Sequence, residues 1–188
     1  HFFLRKRVSA RMVHSGDVVT ILLNDYLLGK IDIQRAYRKA VSSAKKDLTI
    51  IGTYFLPGAL LSYSLQQAAK RGVKVRLVLS GTSDVPTVKR ATDHLYGKLL
   101  RNGLLLFEWP HSVLHGKAAV RDGEWTTIGS YNLNQLSAYG SIEMNVAIQS
   151  PQFAKVTTTA FDEVIAECTS ITAETYQHLS VLHQRLLF

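Results

Sequence analysis

The amino-acid sequence predicts an α/β domain, a layered α/β/α sandwich around a mixed, largely parallel β-sheet. Strand-like segments alternate with amphipathic segments of helical length along most of the chain, which is typical of this class. The 188 residues suffice for one domain with a substantial core. An apolar content of 46% with only 19% charged residues indicates a folded globular unit rather than a disordered chain.

The predicted strands are short runs that are β-branched, aromatic or alternating in polarity. They comprise residues 18–23, 48–55, 73–79, 104–108, 114–120, 125–128 and 143–149. The run 48–55 is apolar enough for a buried strand and ends before Pro57-Gly58.

The predicted helices have apolar residues close to helical spacing. They comprise residues 30–46, 60–70, 86–101, 152–168 and 173–188. Gly72 ends the second helix, and Ser83-Asp84 before Pro86 is a helix-start signal for the third. These elements place a lead-in or linker at 1–17, the catalytic domain at 18–168 and a C-terminal amphipathic helix at 169–188.

The C-terminal helix has an apolar stripe formed by Tyr176, Leu179, Leu182, Leu186 and Leu187. Such stripes ordinarily face a core, so packing on its own domain is the preferred interpretation. Contact with a membrane surface or with another half of the protein is the alternative. The spacing of Glu174, His178 and His183 also fits this helix better than a metal site.

One segment carries a specific pattern of polar residues. His115, Lys117 and Asp122 follow the spacing H-x-K-x4-D, and Gly129-Ser130-Tyr131-Asn132 follows as G-S-x-N. Residues two apart on a strand project to the same face, so His115 and Lys117 should point the same way. An imidazole beside an ammonium group suits an anion that is to be attacked, so the pattern indicates phosphoryl transfer.

These residues resemble the phospholipase D superfamily, and within it the bacterial cardiolipin synthase-like branch. The similarity extends over roughly residues 30–165 and includes Tyr54-Phe55-Leu56-Pro57 and the segments 68–76 and 96–103. Two positions depart from that branch. Leu136 stands where Arg is usual, and Ser141 stands where many members have Asn. The departures concern the substrate rather than the type of reaction.

The resemblance implies roles for four residues at the phosphate. His115 is expected to be the nucleophile or its general-acid counterpart. Lys117 and Asn132 are expected to hold non-bridging phosphate oxygens, and Ser130 to donate a further hydrogen bond.

Two carboxylates complete the predicted catalytic set. Glu143 is expected to orient or polarise a histidine. Asp122 belongs to the catalytic motif but lies off the strand face of His115, so a structural or supporting role is expected for it. The family builds its site from two motifs and this sequence has one. A second HKD-bearing domain or subunit is therefore an expected partner.

The chemistry that the resemblance implies needs no metal or other cofactor. A neutral imidazole is a good nucleophile near pH 7, because histidine side chains ordinarily have a pKa of about 6.5. Its attack gives a phosphohistidine, and the second histidine transfers protons to and from the exchanging alcohols. Two lysines would offset the charge on the phosphate oxygens. Full activity should therefore survive excess chelator.

Charge and composition limit the classes of partner that this chain is expected to bind. The net charge of +8 favours an anionic phospholipid or, alternatively, nucleic acid. The longest apolar runs, such as 18–23, are strand-sized. Membrane contact from this chain would therefore be peripheral, on the cytoplasmic side, with a cytoplasmic location as the alternative. Cys168 is the single cysteine, which excludes an intrachain disulfide and a thiolate metal cluster.

Three functions fit these features. The first is a phosphatidyltransferase of the cardiolipin synthase type, represented by its C-terminal catalytic half, because the opening at His1 looks like a cut from a longer protein. The second is a small phosphodiesterase or nuclease that completes its site as a homodimer. The third is a non-catalytic half that binds anions.

Overall fold

Apolar and alternating runs form the strands of one mixed sheet in the computed structural model, which describes residues 11–14 and 16–176. The strands are β1 (Arg11–His14), β2 (Asp17–Asp25), β3 (Lys30–Ile31), β4 (Asp47–Gly52), β5 (Lys74–Ser80), β6 (Leu105–Trp109), β7 (Lys117–Arg121), β8 (Trp125–Gly129), β9 (Ile142–Gln149) and β10 (Thr169–Ile171). The helices are α1 (Asp32–Ser43), α2 (Ala59–Lys70), α3 (Pro86–Arg101), α4 (Gln135–Tyr139) and α5 (Pro151–Ala166).

The sheet is mixed, as predicted, but mainly antiparallel. Its strand order is β1-β2-β9-β8-β7-β4-β5-β6-β10, with β3 paired to β2. Within the described ranges only the pairs β4–β5 and β5–β6 are parallel, and they are joined by the crossover helices α2 and α3. The prediction of a largely parallel sheet is wrong in this respect. The turn between β7 and β8 is too short for a crossover, so these strands must run antiparallel.

Helices cover both faces of the sheet, which confirms the α/β/α layering. One core cluster joins α1, α2 and α3 to the sheet through residues such as Tyr37, Leu65 and Tyr96. A smaller cluster packs Ala154 and Phe161 of α5 against the opposite face. No helix in the part of the chain that the structure describes is long and apolar enough to cross a membrane.

Several element boundaries differ from the predicted ones. Residues 30–31 form β3 instead of the start of a helix, and β4 ends at Gly52 rather than at residue 55. The motif strand β7 begins only at Lys117. Both β1 and β10 lie outside the predicted domain bounds of 18–168 and nevertheless pair with the sheet.

The predicted C-terminal helix is described only at its start. Residues 173–176 are helical, and the ring of Tyr176 lies 6.4 Å from that of Tyr96. A Cβ on Gly97 would lie 2.7 Å from the Tyr176 ring, so the small residue permits this close approach. Tyr176 therefore packs on its own domain. The remaining stripe residues and the two histidines lie outside the described residues.

Candidate active site

His115 lies on the segment that leads into β7. Its side chain is exposed, and its Nδ1 lies 3.3 Å from Nζ of Lys117. The backbone N–H of Leu114 donates a 2.8 Å hydrogen bond to Oγ of Ser80 at the end of β5, which holds this segment over the sheet. A Cβ on Gly116 would lie 2.8 Å from an isoleucine side chain of β4. The predicted pairing of imidazole and ammonium is confirmed, although β7 begins after His115.

Lys117 is the buried cation of the site. Only 8% of the residue is exposed, and its Nζ lies 3.3 Å from Oγ1 of Thr53. Burial lowers the pKa of Lys117, and the charges of Glu143 and Asp84 offset part of that shift. Between residues 16 and 176, no carboxylate lies within ion-pairing distance of this ammonium group. Its positive charge is therefore available to an anionic ligand.

Strand register brings the site together along one edge of the sheet. Gly52 of β4 pairs with Lys117 of β7, and Ala118 pairs with Ile128 of β8, so the end of β8 lies beside Lys117. Gly129 then pairs with Asn145 of β9. The G-S-x-N segment thus leaves the sheet next to the buried lysine, as its position in the motif requires.

Gly129 permits an unusually close approach of β8 and β9. A Cβ at this position would lie 2.3 Å from the carbonyl oxygen of Met144 and 2.4 Å from Oδ1 of Asn145. The fully buried Asn145 accepts a 3.2 Å hydrogen bond from the backbone N–H of Tyr131 and donates one of 3.1 Å to Thr127. These contacts fix the backbone on both sides of Ser130.

Two serines hold the carboxylate of Glu143. Oγ of Ser130 donates to one oxygen, and Oγ of Ser137 donates a 2.9 Å hydrogen bond to the other. The Ser130 oxygen also accepts a 3.1 Å hydrogen bond from the backbone N–H of Met144. Glu143 thus contacts serines rather than His115, and its action on a histidine stays a prediction.

Asn132 lies half-buried just beyond the end of β8. Its Oδ1 is buried and, among the residues that the structure describes, has no hydrogen-bond partner. An amide oxygen only accepts hydrogen bonds, so a phosphate at this place would be held by the Nδ2 group of Asn132 and not by this oxygen. The predicted contact of Asn132 with a phosphate remains a prediction.

Asp122 is not brought to the other site residues. It follows the far end of β7, where its φ of 53° is in the left-handed region. Its carboxylate accepts hydrogen bonds of 2.8 to 3.1 Å from the backbone N–H groups of Lys45, Lys46 and Asp47. Burial alone would raise the pKa of Asp122, but these donors and the Arg121 guanidinium lower it below its ordinary value. The geometry supports the structural role expected of Asp122, and its membership of the catalytic set stays a prediction.

Sequence reasoning missed three polar residues of the site. Thr53 contacts Lys117 and donates a 3.3 Å hydrogen bond to the carbonyl of Gly116. Asp84, interpreted as a helix-start signal, instead accepts a 2.5 Å hydrogen bond from the Tyr54 hydroxyl. Ser137 orients Glu143. No periodic pattern marks these residues: Thr53 and Asp84 reach the site through long-range packing, and Ser137 reaches Glu143 through the turn between α4 and β9.

The fold and the site define a class of protein. In this mixed α/β sheet, a histidine precedes the buried lysine that begins β7, and a G-S-x-N turn follows β8. This is the arrangement of a phospholipase D-like domain. Residues 37–165 match the family model described as cardiolipin synthase, PLD-like domain, and the chain belongs to this family. Across the described ranges, no three His, Cys, Asp or Glu side chains are grouped as a metal site.

The chain is similar to known proteins in sequence and in structure. Cardiolipin synthase B of Escherichia coli (strain K12) is 36% identical over 135 residues, which are 72% of this chain and 33% of that protein. The chain thus spans about a third of the length of the curated relatives it matches.

Two solved structures share the fold. Nuc of Salmonella typhimurium, a phospholipase D family member, superposes with a TM-score of 0.72 at 18% identity, covering 84% of this chain and 99% of that one. Phosphatidylserine synthase of Haemophilus influenzae Rd KW20 superposes with a TM-score of 0.65 at 13% identity, covering 91% of this chain and 46% of that one.

Proposed function

We propose that this chain supplies one half of the active site of a phosphatidyltransferase or phosphodiester-cleaving enzyme of the cardiolipin synthase type. Its substrate is an anionic phospholipid, and the reaction passes through a phosphohistidine on His115. The observation that carries this proposal is the 3.3 Å contact between the exposed imidazole and the buried ammonium group of Lys117, beside the G-S-x-N turn. The match to the cardiolipin synthase family supports the lipid as substrate.

The geometry suits a two-step displacement. An unprotonated ring nitrogen of His115 attacks phosphorus, and the bond from phosphorus to the leaving alcohol breaks as a second histidine protonates that alcohol. The second histidine then removes the proton of the acceptor hydroxyl, which attacks phosphorus and releases His115. Water as acceptor gives hydrolysis, and a lipid alcohol gives phosphatidyl transfer.

The donors around the phosphate stabilise the charge that develops on its oxygens. Lys117 offers a cation in a buried setting, where it acts more strongly than in water. Asn132 lies on the neighbouring turn and offers an amide N–H group. Ser130 offers its hydroxyl when the proton that it donates to Glu143 turns towards the phosphate. Glu143, held by its two serines, is positioned to orient the histidine that the second motif supplies.

The second HKD motif comes from another domain or another subunit. The longer curated relatives support another domain of the same polypeptide. The match to almost all of the Nuc chain supports the second candidate, a homodimer in which two single-motif chains share one site. We place the enzyme at the cytoplasmic surface of a bacterial membrane as a peripheral protein.

The covalent intermediate tests the proposal. The chain, alone and with any second motif-bearing segment of its polypeptide, is incubated with phosphatidylglycerol that carries a labelled phosphate, in excess chelator. Acid-labile label on the protein is then measured. We expect label on the wild type and none on His115→Ala. His94→Ala, which removes an exposed histidine of α3, is the matched control and should label normally.

Two outcomes contradict the proposal. Equal labelling of His115→Ala and wild type would exclude His115 as the nucleophile. Labelling that disappears only when chelator is added would show that the chemistry depends on a metal.

A further inference from the structure

Six large apolar side chains are exposed along one edge of the molecule. Each is between 47% and 69% exposed, and together they form what we call the apolar rim: Tyr26, Leu27, Leu28, Leu136, Tyr139 and Ile142. Scattered single apolar residues on a surface are ordinary, whereas a group of this size marks an interaction surface. The exposure of the rim therefore indicates that another molecule or surface covers it.

Three segments bring the rim together. Tyr26, Leu27 and Leu28 form the tip of the β2–β3 hairpin, where the backbone N–H groups of both leucines donate to Oδ1 of Asp25 at 3.0 and 3.1 Å. The β2–β9 register pairs Asp25 with Ile142. Helix α4, which carries the other two rim residues, packs against β2. The hairpin tip thus lies beside α4 and the start of β9.

The rim borders the phosphate-binding end of the site. Ile142 directly precedes Glu143, and Leu136 directly precedes Ser137, whose hydroxyl donates to Glu143. Leu136 is the position at which the sequence departs from the arginine usual in the family. The rim and the pair Ser130–Glu143 therefore lie at the same edge of the sheet.

The chemistry of the rim favours a lipid surface over nucleic acid. Nucleic-acid binding relies on cations that contact successive phosphates, and the rim residues carry no charge. A phospholipid has its phosphate at the boundary between head group and acyl chains. A protein that reaches it in a bilayer presents apolar side chains beside its phosphate-binding groups, with tyrosines at the polar boundary. The net charge of +8 complements anionic head groups, whereas Asp25 and Lys30 at the hairpin tip cancel one another.

We infer that the apolar rim is the surface through which this chain inserts into an anionic phospholipid bilayer, with the hairpin tip entering first. The inference deepens the proposed function by assigning the membrane-contacting surface of the same site. It can be measured without turnover, so the two proposals can fail separately.

Vesicle binding tests the rim. The wild-type chain, the double variant Leu27→Asp/Leu28→Asp and the control Val156→Asp are sedimented with vesicles of phosphatidylglycerol and phosphatidylethanolamine. Val156 is 64% exposed on α5 and lies outside the rim, so it controls for adding an acid to an exposed apolar position. Each leucine would bury a whole apolar side chain in the bilayer, so loss of both should weaken partitioning by about 100-fold or more. The control should bind like the wild type.

Insertion of the hairpin tip among the acyl chains is measured separately, by fluorescence quenching. In Leu27→Trp the new indole should be quenched by lipids brominated in their acyl chains, whereas in Val156→Trp it should not. Circular dichroism checks that each variant is folded.

The inference is overturned if the wild type does not bind these vesicles, or if the double variant binds as tightly as the control. It is also overturned if the double variant binds vesicles normally but no longer assembles with a second copy or a second motif-bearing half, because the rim is then a protein interface. A chain that binds through the rim yet forms no phosphohistidine keeps this inference and removes the proposed function.

Discussion

Two residues of one motif use their charges for different purposes. Lys117 is buried among neutral partners, which leaves its charge for a ligand and lowers its pKa. Asp122, near the other end of the same strand, uses its charge to accept three backbone N–H groups of the segment that enters β4. The spacing H-x-K-x4-D therefore combines a buried cation among neutral partners with a carboxylate that supports the fold.

The lowered pKa of Lys117 predicts that activity is lost at a lower pH than it would be with a lysine of ordinary pKa. The proposed mechanism requires the ammonium form, so kcat/KM should fall as pH rises through the pKa of Lys117, below the value of about 10.4 for a free lysine. In Lys117→Arg the guanidinium stays charged, so this limb should move to higher pH while the maximal rate decreases, because the planar group cannot replace the ammonium contacts. A pH–rate profile of both proteins measures the shift. An alkaline limb that does not move in the variant would assign it to another group.

The contacts of Asp122 predict that its replacement by asparagine lowers the stability of the fold. Asp122→Asn keeps an acceptor at a backbone conformation that asparagine tolerates, but it loses the charge. Hydrogen bonds to charged groups contribute more than neutral ones, so the free energy of unfolding at pH 7 should fall by about 2 kcal/mol. Because the folded pKa lies below the unfolded value of about 3.9, the difference should be constant above that value and vanish as pH falls through the folded pKa.

Urea unfolding of Asp122→Asn at several pH values measures this difference. Glu124→Gln, which changes an exposed carboxylate two residues away, is the control and should leave stability nearly unchanged. If Asp122→Asn instead loses turnover with unaltered stability, the carboxylate acts in catalysis.

At the scale of elements, the close approach of β8 and β9 determines where the G-S-x-N turn begins. The backbone of β9 occupies the space that a side chain at Gly129 would need. Asn145 then ties β9 to the turn through Tyr131 and to β8 through Thr127. The glycine of the motif is thus required by strand packing, and the serine that follows it meets Glu143 as a result.

Gly129→Ala should therefore be strongly destabilising. The new methyl group meets backbone atoms of β9 at 2.3 to 2.6 Å, and overpacking of this kind costs about 3 kcal/mol. Gly52→Ala is the matched control, since a Cβ on this buried strand glycine meets nothing within 4 Å. Thermal unfolding should show a large decrease in Tm for the first variant and little change for the second. Similar decreases in both would mean that strand conformation, and not the contact with β9, explains the glycine.

At the scale of the whole molecule, the sequence predicts local structure better than long-range pairing. The end of α3 at Arg101 is predicted to the residue, because Gly103 follows it, and Pro86 of the predicted start signal is its first residue. The direction of β7, β8 and β9 is not predicted, because apolar periodicity identifies a strand without identifying its neighbour. The same distinction holds in the site. His115 and Lys117 are two residues apart and could be paired from spacing, whereas Thr53 contacts Lys117 from a segment 64 residues away.

The pairing of β2 with β9 has a consequence for synthesis of the chain. Val18 lies beside Gln149 in the completed sheet, so an early-made strand acquires its main neighbour only after most of the domain has been translated. Contacts between such distant segments form slowly. Until then the apolar run from Val18 to Leu23 has a free hydrogen-bonding edge, which makes nascent chains prone to aggregation.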